Sequence, residues 1–470
     1  MKIHVENYGV ISNATIDLSK PLTVFCGGNG TGKTYMSYMM YAICNTISTP
    51  RRWGHSYISR AKPRFVKIKP ATANSPEEWY YIIDPIALKR IYAETAEITK
   101  NRIDEIFGLS DEDAEIMFKT LRVSIPFEES EIKEYLDKLQ FDFTLRYRDV
   151  EYKCHKGEGL KVLISIVSPS EQSVQGISGI MPDVLQNAIL KNCVTTSIGE
   201  PCFLPVERNS IYTFNKELSI SRNNLIDEIL QLPKKKSFDP FTYVEKGSKR
   251  YPLAIRDAIN IANDLSTIKK QKGEYYDWAL KLEEKLLRGQ VDVTSDGDVI
   301  FLPKGSRAKR AALPIHMTAS VVKTLSSFVF YLKYQAKPNH LIIIDEPEMN
   351  FHPDSQIVLV SIVAELMNAG LRFLISTHSD YIIREFNKLI LADAVRNKYH
   401  KTINDEVTIS KEKVGAYYFA YPKRAKKVVV QELEVGDKGF SVPSIDAVVE
   451  EQNRQIEDLI DQFYFVNDNR

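Results

Sequence analysis

The chain has no closely spaced pair of cysteines. Its five, Cys26, Cys44, Cys154, Cys193 and Cys202, are odd in number and widely scattered, which excludes a disulfide framework and a structural zinc site of the CxxC kind. Buried, reduced thiols are expected instead. There is no excess of either charge: 62 Lys and Arg stand against 61 Asp and Glu, a net charge of +1 over 470 residues. No global field therefore draws the molecule onto nucleic acid or anionic lipid, and any such contact needs a local patch. No stretch approaches the ~18 apolar residues of a membrane span, and the first residues, MKIHVENYGVISN, lack the apolar centre of a signal peptide. A cytoplasmic protein with no membrane contact is expected. With 44% hydrophobic, 10% aromatic and 26% charged residues, the composition excludes a disordered or collagen-like chain and allows several domains or one domain with a large insertion.

What is present is an α/β pattern at both ends. Ile3 and Val5 alternate early, and residues 22–26 form a short apolar run ending at glycine, so two strands are expected. A helix follows, with Met36, Met39, Met40, Ile43 and Ile47 at helical spacing and Pro50 as its stop. Residues 341–344 and 371–376 read as fully buried parallel strands joined by a helix over 353–368. The middle, about residues 50–290, mixes polar loops and amphipathic helices, one carrying Ile255, Ile259, Ala262 and Leu265. Its heptads never persist, so no coiled-coil arm is expected. Residues 291–294 and 299–302 flank Ser-Asp-Gly-Asp, a hairpin signal. Two further strands are expected at 414–421 and 428–435, then a closing helix over 443–465.

Three segments carry chemistry. GGNGTGKT, residues 27–34, satisfies GxxxxGK[ST] after a strand and before a helix. The backbone amides of Gly27, Gly28, Asn29, Gly30, Thr31 and Gly32 would cradle phosphates, Lys33 would reach the β and γ phosphates of ATP, and Thr34 would give a hydroxyl to Mg²⁺. LIIIDEPE, residues 341–348, ends a buried strand in adjacent acids: Asp345 for Mg²⁺, Glu346 for the attacking water. FLISTHSD places His378 just past another buried strand, where it would sense the γ-phosphate. Open α/β sheets bind ligands outside their strands' carboxyl ends, which gathers all three. Glu346, His378 and Lys33 are thus the expected catalytic residues, and Thr34 and Asp345 the metal ligands.

In this order and with this wide separation, GGNGTGKT, IIIDEPEMNFHPDSQ and LISTHSD resemble the ABC/SMC-like ATPase superfamily, in particular its compact overcoming-lysogenisation (OLD)-like branch. The resemblance extends to the ATPase subunits of bacterial antiphage systems of the PARIS and Septu types. It implies an α/β P-loop NTPase head with a mixed sheet, interrupted by a large, mainly helical insertion. The layout then becomes a first half-head at 1–49, an insertion at 50–290 serving oligomerisation or a partner, and a second half-head at 291–470. It also implies an ATP-dependent dimer or higher homo-oligomer, each phosphate loop facing a signature motif of another copy. HMTASVVKT, residues 316–324, is the candidate signature, with Ser320 either contacting the opposite γ-phosphate or capping a helix. Val321 and Val322 stand where the family's signature carries glycines. HPDSQ, residues 352–356, resembles the family's D-loop region and also suits plain helix initiation at Pro353.

Arg208, in FLPVERNS, reads either as a phosphate contact or as half of a structural ion pair. Basic clusters at 234–236, 304–310 and 423–427 read as solvated surface, with DNA-backbone contact through 304–310 as the other reading. The expected function is a Mg²⁺-dependent ATP hydrolase acting as sensor or scaffold for a separate effector, a nuclease, in antiphage defence. No Toprim-type acidic cluster is encoded, so nuclease chemistry falls to that partner. The alternative is a DNA-binding repair or recombination ATPase resembling the RecF class.

Overall fold

The computed structural model describes residues 1–49, 65–70, 76–147, 150–167, 181–214, 251–305, 312–399, 407–422 and 425–468. Its centre is five parallel strands in the spatial order β10 (Pro201–Leu204), β14 (Leu341–Asp345), β15 (Arg372–Thr377), β3 (Leu22–Gly27) and β16 (Val414–Ala420). Beyond β16 lie β17 (Val428–Leu433), antiparallel to it, then β2 (Ile11–Asp17), β1 (Lys2–Tyr8) and β6 (Arg122–Ser124), which complete a mixed nine-stranded sheet.

Strands β3, β14 and β15 are buried along their whole length, as continuous apolar strands covered on both faces must be. Successive residues point to opposite faces, so Phe25, Ile343 and Leu374 join one core, and Val24, Cys26, Ile342, Ile344, Phe373 and Ile375 the other. On the first face lie α1 (Lys33–Ser48), α2 (Pro85–Lys100) and α3 (Met181–Ile198), while α4 (Leu253–Asn263) joins both cores, through Leu253 and Ala254 on the first and Ala262 on the second. Helix α1 buries the expected Met36, Met39, Met40, Ile43 and Ile47 there. On the second lie α5 (Ser320–Tyr334), α6 (Pro353–Asn368) and α7 (Asp380–Tyr399), through Phe328, Val363 and Phe386 among others. All five cysteines are buried and form no disulfide, and burial pushes the Cys26 and Cys44 thiols up to about 12. Among the described residues no helix is long and apolar enough to cross a membrane.

The structure differs from the sequence reading in four places. The first 27 residues form three strands rather than two. β2 was hidden because Asn13 and Thr15 face solvent while Ile11, Ala14 and Ile16 face the core. Two short strands from the stretch 50–290, β6 and β10, belong to the nine-stranded sheet, so that stretch is not one uninterrupted insertion. The same stretch carries, besides its helices, an antiparallel five-stranded sheet in the order β4 (Phe65–Lys69), β5 (Glu77–Ile82), β9 (Lys161–Val167), β8 (Val150–Lys156) and β7 (Phe141–Tyr147). Its strands β7, β8 and β9 alternate more buried and more exposed residues, a pattern easily lost among charged positions. The expected hairpin is present as β11 (Gly289–Val293) and β12 (Val299–Pro303), extended by β13 (Leu313–Pro314). Finally, the helix expected to close the head, α8 (Pro443–Asp468), is exposed over 451–463 and closes nothing there.

Gly27 shows how tightly the sheet edge is built. It ends β3 at φ +143°, and a Cβ there would lie 2.3 Å from the Phe419 carbonyl oxygen of β16. Gly27→Ala is expected to cost about 3 kcal/mol in denaturant unfolding. At Gly30 a Cβ would meet nothing within 4 Å, so Gly30→Ala bears only the strain of its positive φ and should cost clearly less. Equal losses would refute the close-approach argument.

Candidate nucleotide site

The pairing of Asp345 with Ser376, and of Thr377 with Cys26, brings the ends of β14, β15 and β3 to one edge of the sheet. The loop 27–34 leaves β3 and turns into α1, whose N-cap is Gly32 in the left-handed region, with no acid in the first turn. The first amides of the helix are therefore available to an anion. Lys33 is 5% exposed, and its Nζ donates to the carbonyls of Gly27 at 3.0 Å and Gly28 at 2.8 Å. Burial lowers its pKa, opposed by the charges of Asp345, Glu346 and Glu348. Thr31 Oγ1 donates to the Gly28 carbonyl at 2.8 Å and braces the loop. The result is a cleft of about 360 Å³ lined by Asn29, Gly30, Thr31, Gly32, Lys33 and Thr34, by Val10 and Tyr35, and by Glu346 and His378 across from the loop.

Asp345 is 1% exposed. Among the described residues neither of its carboxylate oxygens has a hydrogen-bond partner. Burial raises its pKa, while the nearby hydroxyls of Thr34 and Ser376 favour the charged form without closing a bond of good geometry. A buried carboxylate without a partner is costly. Two orphaned hard oxygens beside a threonine hydroxyl are a donor set that suits Mg²⁺.

Glu346 faces the cleft, its Oε1 3.1 Å from His378 Nε2. It sits at φ +47°, uncommon for a residue with a side chain. Both sides of this turn are held: its amide donates to the Ser376 carbonyl at 2.9 Å, and its own carbonyl accepts from Arg208 Nη2 at 2.7 Å. Arg208 is 2% exposed. Its Nη1 donates to the carbonyls of Asp345 at 2.7 Å and Pro205 at 2.8 Å. Burial pulls its pKa down to about 10, against the fields of Asp345, Glu348 and Glu346, so it stays charged at neutral pH. Among the described residues Arg208 forms no ion pair, and its guanidinium donates to backbone carbonyls instead. It is a planar fork pinning the backbone that carries both acids.

Three residues without an assigned role in the sequence reading complete the frame. Glu348 accepts from Thr377 Oγ1 at 2.9 Å on both oxygens and from the His378 amide at 2.9 Å, holding the His378 turn in place. Its signal was present as the last acid of DEPE. Gln356 accepts from Ser379 Oγ at 2.5 Å and donates to the Phe351 carbonyl at 3.1 Å, joining α6 to the same turn. Asn350 donates to Thr324 Oγ1 of α5 at 3.1 Å, so the chain after the two acids is tied to the helix that begins at Ser320.

Ser320 is exposed and does not line the cleft. It is the first residue of α5, and Ala319 holds the N-cap position without a side-chain bond, so capping is not its role. His352 N-caps α6, and Pro353 begins it. Of the basic clusters, 234–236 and most of 304–310 lie outside the described residues. Lys304 pairs with Glu284 at 3.0 Å, both exposed, and Lys427 donates to Asn7 at 2.9 Å.

A family model described as an AAA ATPase domain matches residues 1–383. That range holds the phosphate loop, Arg208, both strand-end acids and His378. The chain belongs to the AAA ATPase domain family. Its α/β P-loop fold is the one expected from the sequence. No curated relative matches. Solved structures similar to the chain include a crystal structure of an SmcHead bound to the C-winged helix domain of ScpA, at 12% identity and a TM-score of 0.33, covering 92% of this chain and 97% of that one. A second is an Smc head domain with an extended coiled coil bound to the C-terminal domain of ScpA, derived from Pyrococcus furiosus, at 12% identity and a TM-score of 0.33, covering 96% and 98%. A third is the SMC head domain from Thermotoga maritima, at 8% identity and a TM-score of 0.29, covering 92% and 98%.

Proposed function

We propose that this AAA ATPase domain protein is a Mg²⁺-dependent ATP hydrolase that closes between copies of itself when ATP is bound. The observation that carries the reading is the Asp345 carboxylate, buried beside Thr34 and without a well-formed hydrogen bond among the described residues, next in sequence to a Glu346 that lines the phosphate-loop cleft. Asp345 and Thr34 would hold the metal, which when bound neutralises charge on the phosphates. The amides of residues 27–34 and the Lys33 ammonium bind and orient the triphosphate. Glu346 positions the attacking water and takes its proton, and His378 fixes the Glu346 carboxylate and stands beside the γ-phosphate. Ser320, exposed at the start of α5, would contact the nucleotide of a second copy rather than its own.

This assembly would act as sensor or scaffold for a separate effector, a nuclease in antiphage defence. That last step rests on the resemblance of the motifs alone.

Sizing the protein by light scattering with ATP, with ADP and without Mg²⁺ tests the reading, alongside steady-state phosphate release. Assembly with Mg-ATP and its loss with ADP are expected, because a ligand shifts an equilibrium only by its differential affinity for the two states. A monomer under all three conditions would remove the oligomeric switch, and absence of phosphate release would leave an ATP-binding module.

A further inference from the structure

Among the described residues, α8 is a feature that the nucleotide site does not use. Its root is firm. Phe440 and Val442 are buried, the Phe440 amide and carbonyl pair with the Asn387 side chain at 2.9 and 2.8 Å, and Ile445 packs on the core. From residue 451 to 463 every residue is exposed. Val448, Ile456, Leu459 and Ile460, each between 48% and 64% exposed, fall within an arc of about 120° at the helical 100° per residue. An isolated helix this long gains most of its stability from burying such a face.

Charge decides what covers it. Asp446 and Glu457 run along one edge of the apolar stripe, and Glu451 and Asp458 along the other; the segment 443–463 contains no lysine and a single arginine. That residue, Arg454, lies on the far side and pairs with Glu451 at 2.6 Å. Nucleic acid and anionic lipid are repelled by such a rim. A second copy of α8 is disfavoured too, since pairing in either direction sets acidic edge against acidic edge.

We propose that α8 is a docking helix for a different protein, which offers an amphipathic helix whose apolar seam is flanked by Lys and Arg. This goes beyond the ATPase reading and stands whether or not the chain hydrolyses ATP.

The test uses the 470-residue chain, without nucleotide, and two labelled four-heptad peptides sharing one Ile/Leu seam, one with Lys and Arg at the flanking positions and the other with Glu. Fluorescence anisotropy should show the basic peptide binding at least roughly tenfold more tightly than the acidic one, with the advantage shrinking as salt is added. The double variant Ile456→Ser with Leu459→Ser should lose roughly tenfold for the basic peptide while far-UV circular dichroism stays unchanged. If that variant loses helix, the pair Glu457→Lys with Asp458→Lys keeps the proposal open to refutation, since it should weaken the basic peptide and strengthen the acidic one. Equal affinity for both peptides, no binding of either, or a dimer in sedimentation that disappears in the Ile456/Leu459 variant would each overturn it.

Discussion

Glu346→Gln is expected to keep ATP bound and to lower its turnover by about a hundredfold or more, the usual worth of a positioned general base. The amide preserves the size of the side chain and its place 3.1 Å from His378 Nε2, but it no longer accepts a proton from water. In the proposed reading, binding is left to the amides of 27–34, to Lys33 and to the oxygens of Asp345 and Thr34, none of which the substitution removes. The measurement is single-turnover hydrolysis beside nucleotide retention on a desalting column. In the oligomeric reading the variant also accumulates as the ATP-closed assembly. Unchanged turnover would defeat the assignment of Glu346, while a loss of ATP affinity equal to the loss of turnover would show that it only shapes the cleft.

Arg208→Ala should produce the second large effect, in a residue that does not line the cleft. Its guanidinium bridges the carbonyls of Asp345 and Glu346 from a buried position. Removing it strands two carbonyls and frees the positive-φ turn at Glu346. Orphaned buried carbonyls and the missing side-chain volume together cost about 3 kcal/mol. Displacement of the reacting groups by about 1 Å costs roughly a hundredfold in rate. The signature of a positioning residue is a split: turnover falls much further than ATP affinity. Arg208→Lys keeps the charge but lacks the planar fork that spans two acceptors, so it should recover part of the stability and little of the rate. If Arg208→Lys turned over ATP at the parent rate, Arg208 would be a charge in the core and nothing more.

How much of this was legible follows from where each interaction is made. The phosphate loop could be read because its chemistry is local: the turn needs glycine at set positions, and Lys33 and Thr34 follow within the same few residues. The buried strands could be read because a parallel strand covered on both faces has to be apolar throughout, as β3, β14 and β15 are. Arg208 could not be read. Whether an arginine meets phosphate, a carboxylate or a carbonyl depends on β10 lying beside β14, and that pairing joins residues far apart in the chain. Glu348 was visible as an acid, yet its duty of holding Thr377 and the His378 amide exists only once β15 is placed next to β14. The five-stranded sheet was missed because strands with one solvated face scatter their apolar residues among charged ones.

Helix α8 marks the same division. Its pattern announced a helix over 443–465, and the helix is there; that it closes nothing over 451–463 and instead presents an acid-rimmed apolar stripe was decided by packing. By itself, then, the sequence determined the buried strands and helices of the two ends, the glycine-rich turn before α1 and the two acids that end β14, because each depends on neighbours a few residues away. The tertiary structure alone decided that, among the described residues, Asp345 would be left without a hydrogen-bond partner, Arg208 would hold the turn at Glu346, and the apolar stripe of α8 would remain exposed. Those outcomes depend on which strands lie side by side, and a linear pattern does not encode that distance.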